Sequence, residues 1–144
     1  MRESLVRQAQ RERQRVLSRD EGRALINAQA KRKNKYGAKR TTIDGQTFDS
    51  KGEAARFQVL KRRQHIGEIA ELQAQVPYPL TAPNGEVIGT YVADAVYFDC
   101  RARKWVVEDF KGGRATKTAL FRWKAKHMLA EHKIAITIVE SPNA

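Results

Sequence analysis

The stretch ADAVYFDCRARKWVVEDFKGG, residues 93–113, decides the fold, because it contains two β-strand patterns joined by a polar turn. Asp94 lies in the middle of the first pattern, although aspartate is disfavoured in strands and rarely buried without a partner. The second pattern ends with Glu108, Asp109 and Lys111 among apolar residues. Because antiparallel neighbours pair across a hairpin, we expect Asp94 to lie close to Asp109.

Side-chain alternation along the second strand separates its charged residues. Asp109 and Lys111 are expected on one face, and Glu108 and Phe110 on the other. Two carboxylates beside a lysine suit metal-assisted phosphodiester hydrolysis, since Mg²⁺ prefers oxygen ligands and a lysine can stabilise the attacked phosphate. We therefore predict Asp94 and Asp109 as metal ligands and Lys111 as a catalytic residue. Glu108 ranks below Asp109, although a strand bulge would reverse that order. The structural alternative is a salt bridge between Lys111 and an acidic neighbour.

The residues around this stretch predict an α/β (α+β) fold with a central mixed sheet flanked by helices. Asp44-Gly45 between β-formers predicts a hairpin, and Ser50 predicts the start of a helix that runs to about His65. The remaining predicted elements are extended segments at 69–75 and 76–80, strands at 86–98 and 104–110, a helix at 116–132 and a strand at 134–139. We expect a core domain over residues 36–144, preceded by a basic N-terminal extension over 1–35 that is helical or partly disordered.

Charge is distributed unevenly along the 144 residues, whose formal net charge is +12. Residues 1–40 contain 13 Lys and Arg but only 4 Asp and Glu. A basic arm favours nucleic acid or an anionic membrane surface, and the weak apolar stripe of residues 1–33 argues against the membrane. No signal-like or membrane-spanning apolar run is present, so a cytoplasmic protein is expected. The single cysteine, Cys100, excludes an internal disulfide.

Three segments together resemble a known family. They are Asn34-Lys35-Tyr36-Gly37-Ala38-Lys39, Phe48-Asp49-Ser50-Lys51-x-Glu53-Ala54 and Glu108-Asp109-Phe110-Lys111-Gly112. Asp94 followed by Asp109-x-Lys111 resembles the signature of the PD-(D/E)xK nuclease superfamily, with Ala93 in place of a proline that the superfamily often lacks. Over about residues 34–140 the chain is similar to small, mostly phage-encoded endonucleases that are likened to Holliday-junction resolvases. The resemblance implies a restriction-endonuclease-like core and Mg²⁺ as cofactor, with Mn²⁺ able to substitute.

Two further site residues follow from this resemblance. The superfamily often adds an acidic residue from the first core helix, and Glu53 is the matching position for a catalytic metal ligand. The alternative is that Glu53 is the third residue of a capping box that begins at Ser50. Gln75 matches a glutamine near the metal in related nucleases, so we predict a supporting role for it.

The predicted function is that of a Mg²⁺-dependent endodeoxyribonuclease acting on duplex or branched DNA. Junction resolution needs paired cuts, so we expect a homodimer, in the cytoplasm of a bacterial host if the chain is phage-encoded. The alternative is a non-catalytic nucleic-acid-binding protein on a nuclease-like scaffold. The predicted DNA contacts are the basic residues Lys35, Lys39, Arg40, Arg56, Lys117, Arg122, Lys124 and Lys126.

Overall fold

The computed structural model describes residues 40–112 and 117–144. The extension predicted over 1–35, together with Lys35 and Lys39, lies outside the described residues. The helix predicted over 116–132 begins later than predicted, at Ala119, because the Thr118 side chain caps it by accepting the Phe121 backbone N–H. Within the described part of the chain, no helix combines the length and the apolar character needed to cross a membrane.

The first described elements are a two-stranded hairpin of β1 (Thr41–Ile43) and β2 (Gln46–Phe48). The two turn residues have positive φ, 50° at Asp44 and 78° at Gly45. Aspartate and glycine tolerate this region better than other residues, and it matches the twist of a tight hairpin. The predicted hairpin is therefore confirmed.

Helix α1 (Lys51–His65) begins where the sequence predicts. The Ser50 side chain accepts a hydrogen bond from the Glu53 backbone N–H at 3.2 Å, which satisfies one of the free donors of the first turn. Gly67, with φ 81°, turns the chain away after the helix.

The main sheet has four strands in the order β3-β4-β5-β6. They span β3 (Ile69–Thr81), β4 (Val87–Asp99), β5 (Lys104–Phe110) and β6 (Thr137–Val139). The first three are antiparallel, and β6 runs parallel to β5. The sheet is therefore mixed, and the α+β class predicted from the sequence is confirmed. The two predicted extended segments are one strand, and its two prolines lie on this edge strand, where proline is tolerated.

Helix α2 (Ala119–His132) packs on the opposite face of the sheet from α1. The α2-side core contains Tyr78, Leu80, Tyr91, Ala93, Val96, Val107, Phe121 and Met128. The α1-side core contains Leu60, Ile69, Ala95, Tyr97 and Val106. The final strand is shorter than the predicted 134–139, because Ile134 and Ile136 pack against the α2-side core and only Thr137–Val139 pairs with β5.

Candidate active site

The β4–β5 pairing brings Asp94 and Asp109 together. Ala95 pairs with Glu108, so the next positions outward on the two strands are Asp94 and Asp109. Asp94 Oδ2 accepts a hydrogen bond from the backbone N–H of Phe110 at 2.7 Å. The carboxylate thus binds a backbone donor of β5 just beyond the last β4–β5 pair, and this bond fixes Asp94 beside Asp109.

Asp109 is 3% exposed, and its two oxygens have different partners. The Tyr91 hydroxyl donates to Oδ2 at 2.9 Å. Lys111 Nζ lies 2.5 Å from Oδ1, but no hydrogen bond reaches this buried atom from the described residues. The ammonium therefore neutralises Oδ1 by proximity rather than by an aligned bond, and Oδ1 keeps unused acceptor capacity.

Lys111 is held between a carboxylate and an aromatic ring. Its Nζ lies 4.3 Å from the centroid of Phe121, on α2. A cation over a ring face is stabilised by about 0.5–2 kcal/mol, the larger figure applying away from water. The ring and Asp109 together restrict where the ammonium can lie.

Burial and like charges act on Asp94. Burial is the largest effect and raises its pKa well above the ordinary value, followed by repulsion from Asp109 and then from Glu53. The Phe110 N–H and Lys111 oppose this shift. The pKa of Glu53 is also raised, first by burial and then by Asp49. The site thus gathers three carboxyl groups around one lysine, and their ionised forms disfavour one another.

The surroundings of Glu53 fit both roles that the sequence suggests for it, helix capping and metal binding. The Asp49 backbone and the Ser50 side chain lower the pKa of Glu53 against the larger effect of burial, so its carboxylate lies against the start of its own helix, where a capping residue lies. The same carboxylate repels Asp94 and is attracted by Lys111. The cap thus places a third carboxylate near the pair, from the first turn of α1.

Strand alternation separates Glu108 from the site, as predicted. In β5, Val106 packs in the α1-side core and Val107 in the α2-side core, so the strand is regular up to Glu108. Glu108 is 1% exposed and forms a bidentate pair with Arg56, with Nε–Oε1 at 2.6 Å and Nη2–Oε2 at 3.0 Å. The Tyr97 hydroxyl adds a bond of 2.9 Å. Glu108 is therefore fully partnered on the α1 side.

An irregularity does occur, in β4 and in its outer neighbour β3. Ala93 packs in the α2-side core but Ala95 packs in the α1-side core, although residues two apart on a regular strand share a face. The side-chain alternation of β4 is therefore interrupted at Asp94. On β3, Gln75 lies between the residues paired with Ala93 and Ala95 and has φ 50°. Non-glycine residues in this region are uncommon and concentrate at functional sites.

Gln75 therefore stands opposite Asp94 in the β3–β4 register. Its amide Nε2 donates to the backbone oxygen of Thr47 at 2.7 Å. This bond ties the β1–β2 hairpin to the sheet at the level of Asp94. The supporting role predicted for Gln75 remains a prediction, since its described contact is with the hairpin.

The predicted DNA contacts have very different surroundings. Arg56 is 4% exposed and committed to Glu108, with further bonds from Nη1 to the backbone oxygens of Pro142 and Ala144. The assignment of Arg56 as a DNA contact is therefore wrong, because its guanidinium has no face for a phosphate.

The other described basic residues are at least partly accessible. Arg40 lies 3.6 Å from Asp49, and Lys117 pairs with Glu140. Lys124 Nζ donates to the Thr90 backbone oxygen at 2.7 Å. Arg122 and Lys126 are exposed one turn apart on α2. This last pair presents accessible positive charge on α2.

Two residues that contact the site were not predicted from the sequence. Tyr91 holds Asp109, and Phe121 lies under Lys111. Both residues carry a periodic apolar signal that predicts core packing, and both do pack in the α2-side core. Nothing in that signal separates an aromatic that only packs from one that also touches a charged group.

Comparisons with known proteins complete the description of the site. The model of a family described as "Protein of unknown function (DUF1064)" matches residues 33–140. That range includes every described candidate for catalysis and metal binding. No curated protein and no solved structure matches the chain.

Proposed function

The chain belongs to the family described as "Protein of unknown function (DUF1064)", and we propose that it is a metal-dependent endonuclease that hydrolyses phosphodiester bonds in DNA. The observation that carries the proposal is the state of Asp109. It is a buried carboxylate whose Oδ1 has the Lys111 ammonium as its one partner among the described residues, and a second carboxylate lies beside it. A carboxylate oxygen can accept two partners, so Oδ1 keeps room for a second ligand beside the ammonium.

The residues fit a Mg²⁺ ion by their chemistry. Mg²⁺ is commonly bound through one or two carboxylates, with waters and substrate phosphates completing its shell. No group of three His, Cys, Asp or Glu in residues 40–112 and 117–144 is arranged as a metal cluster. Asp94 and Asp109 would therefore hold the ion, and Glu53 would join them only by moving closer to the pair. When bound, Mg²⁺ polarises the phosphate and offsets its developing charge.

The side chains themselves divide the remaining work. Asp94 is fixed by the Phe110 N–H and Asp109 by Tyr91, so both carboxylates are oriented before a substrate arrives. Lys111 lies beside Asp109, where its ammonium can bind a phosphate oxygen or orient the attacking water. Preorganised charges of this kind favour the transition state, because no reorganisation is needed during the reaction.

The charge of the chain favours DNA as the substrate. A net charge of +12 suits a polyanion, and Arg122 and Lys126 are accessible on α2. Such contacts to phosphates give affinity without sequence preference. Branched DNA, a homodimer presenting two sites and a location in the bacterial cytoplasm belong to the same proposal, through the resemblance to junction-resolving endonucleases.

The decisive experiment is cleavage of a panel of linear, flapped and four-way DNAs with Mg²⁺ or Mn²⁺. We expect cleavage that EDTA abolishes. Asp109→Asn and Lys111→Met should each reduce the rate by about 100-fold or more, since the first removes a charge that holds the metal and the second a charge that acts on the reacting phosphate. Glu86→Gln is the matched control, because Glu86 is an exposed carboxylate in a turn away from the site. Unchanged cleavage by Asp109→Asn would refute the assignment.

The same panel tests the non-catalytic alternative. A nucleic-acid-binding protein on this scaffold would retain the DNAs in a gel-shift assay with EDTA present and would leave them intact with Mg²⁺. It would also show no Mn²⁺ binding that Asp94→Asn abolishes.

A further inference from the structure

Tyr91 connects the α2-side core to the proposed catalytic centre. It is 3% exposed, and its ring stacks on that of Tyr78 with centroids 6.3 Å apart. Packing on this scale leaves a buried aromatic little freedom to rotate. The Tyr91 hydroxyl is therefore held at a fixed point of the molecule, 2.9 Å from Asp109 Oδ2.

That bond determines how the Asp109 carboxylate is turned. A carboxylate rotates easily about its last torsion unless a partner fixes one oxygen. Tyr91 occupies Oδ2, which leaves Oδ1 facing Lys111 Nζ at 2.5 Å. Without the hydroxyl, the carboxylate could rotate and present both oxygens to the lysine, which would reduce what remains for a cation.

We propose that Tyr91 is a positioning residue, which orients Asp109 so that Oδ1 is presented to a divalent cation and a phosphate. This inference rests on the proposed function and adds to it a residue outside the predicted signature. Partners that orient metal-binding carboxylates through hydrogen bonds typically change metal affinity by about 10- to 100-fold when removed.

The molecule contains a matched control in Tyr97. Its hydroxyl also donates to a buried carboxylate at 2.9 Å, but that carboxylate is Glu108, on the opposite face of the sheet. Glu108 is in addition held by two bonds from Arg56, so its orientation does not depend on Tyr97. Asp109 has no such second constraint from an aligned donor.

The experiment compares Tyr91→Phe with Tyr97→Phe, since each change removes one buried hydroxyl and keeps the ring. Mn²⁺ binding is measured by electron paramagnetic resonance, and cleavage is measured across a range of Mn²⁺ concentrations. For Tyr91→Phe we expect the Mn²⁺ dissociation constant to rise about 10-fold. The cleavage rate should recover largely at saturating Mn²⁺, because the metal ligands are intact. Tyr97→Phe should stay within about twofold of the wild type in both measurements.

Several results would overturn the inference. Equal Mn²⁺ affinity in Tyr91→Phe and the wild type would do so, as would equal losses in the two tyrosine variants. If Tyr91→Phe is poorly folded, the change is repeated in an Asp109→Asn background, and the unfolding free energies form a double-mutant cycle. Additive effects there would show that Tyr91 does not act through Asp109. A wild-type protein that neither binds Mn²⁺ nor cleaves DNA would instead remove the proposed function itself.

Discussion

Replacing Asp94 by Asn removes one negative charge from a site where carboxylates repel each other. The raised pKa of Asp94 means that folding disfavours its ionised form, mainly through burial and then through Asp109 and Glu53. Asparagine has nearly the same shape, and its amide oxygen can still accept the Phe110 N–H. We therefore expect Asp94→Asn to make the metal-free protein more stable at neutral pH while it removes cleavage.

The size of this gain follows from opposing effects. Side chains directly opposite in an antiparallel pair lie about 5 Å apart, and two charges at that distance repel by roughly 3 kcal/mol at an effective dielectric constant of about 20. A neutral acceptor weakens the bond to Phe110 by about 1 kcal/mol, and the attraction of Lys111 for Asp94 is also lost. Partial exposure of Asp94 screens the repulsion. The net gain is about 1 kcal/mol, or a rise in Tm of about 4 °C.

The gain must depend on pH in a defined direction. Well below the ordinary Asp94 pKa of 3.8 the carboxyl is protonated whether the chain is folded or not, so the substitution changes little. As pH rises, the unfolded chain releases its proton first, and the folded wild type loses stability relative to it. The advantage of Asp94→Asn should therefore grow from about pH 4 to pH 7.

Thermal unfolding in EDTA between pH 4 and pH 8 measures this directly, with Glu86→Gln as a charge-matched control. Adding Mg²⁺ at about ten times its dissociation constant should stabilise the wild type by about 1.4 kcal/mol and leave Asp94→Asn unaffected. A lower Tm for Asp94→Asn at pH 7, or an advantage of equal size at pH 4 and pH 7, would refute the electrostatic reasoning.

Three further substitutions test other parts of the molecule. Glu108→Gln leaves the buried Arg56 charge without its partner, so urea unfolding should show a loss of about 3 kcal/mol, and a loss below about 1 kcal/mol would contradict the role of the ion pair. Gly52→Ala places a Cβ 2.7 Å from Phe110 Cζ, and we expect it to lower the free energy of unfolding by about 1–3 kcal/mol in the same urea measurement. An unchanged free energy of unfolding would mean that the Phe110 ring moves aside freely. Arg122→Gln should reduce the slope of log K for DNA against log salt by about 0.9, and an unchanged slope would exclude a phosphate contact by this side chain.

Local chemistry made part of the fold predictable from the sequence. Asp44-Gly45 can adopt the positive φ of a tight turn, and Ser50 can accept a backbone N–H, so the hairpin and the start of α1 follow from residue types alone. The opposite faces of Glu108 and Asp109 follow from the twofold period of a strand. Each of these features depends on residues within a few positions of one another.

Features that depend on distant residues were not predictable. Arg56 meets Glu108 across 52 positions of the chain, and basic residues in helices are usually solvated, which is why Arg56 was assigned to DNA. The positive φ of Gln75 lies opposite the point where the side-chain alternation of β4 is interrupted, and no glycine or other turn-forming residue at that position predicts it. Tyr91 reaches Asp109 only because the β4–β5 register places them together.

The neighbouring residues Glu108 and Asp109 show how differently one strand treats two carboxylates. Glu108 receives a bidentate arginine and a tyrosine hydroxyl, which is how this fold neutralises a buried acid completely. Asp109, one position later, shares a single lysine with Asp94 and Glu53, although the chain has a net charge of +12 and cationic side chains are abundant. Charge left uncompensated in a folded protein lowers its stability and is retained where activity requires it. The contrast between these adjacent carboxylates supports the proposed Mg²⁺ site, because the ion would add positive charge beside Lys111 where three carboxyl groups lie together.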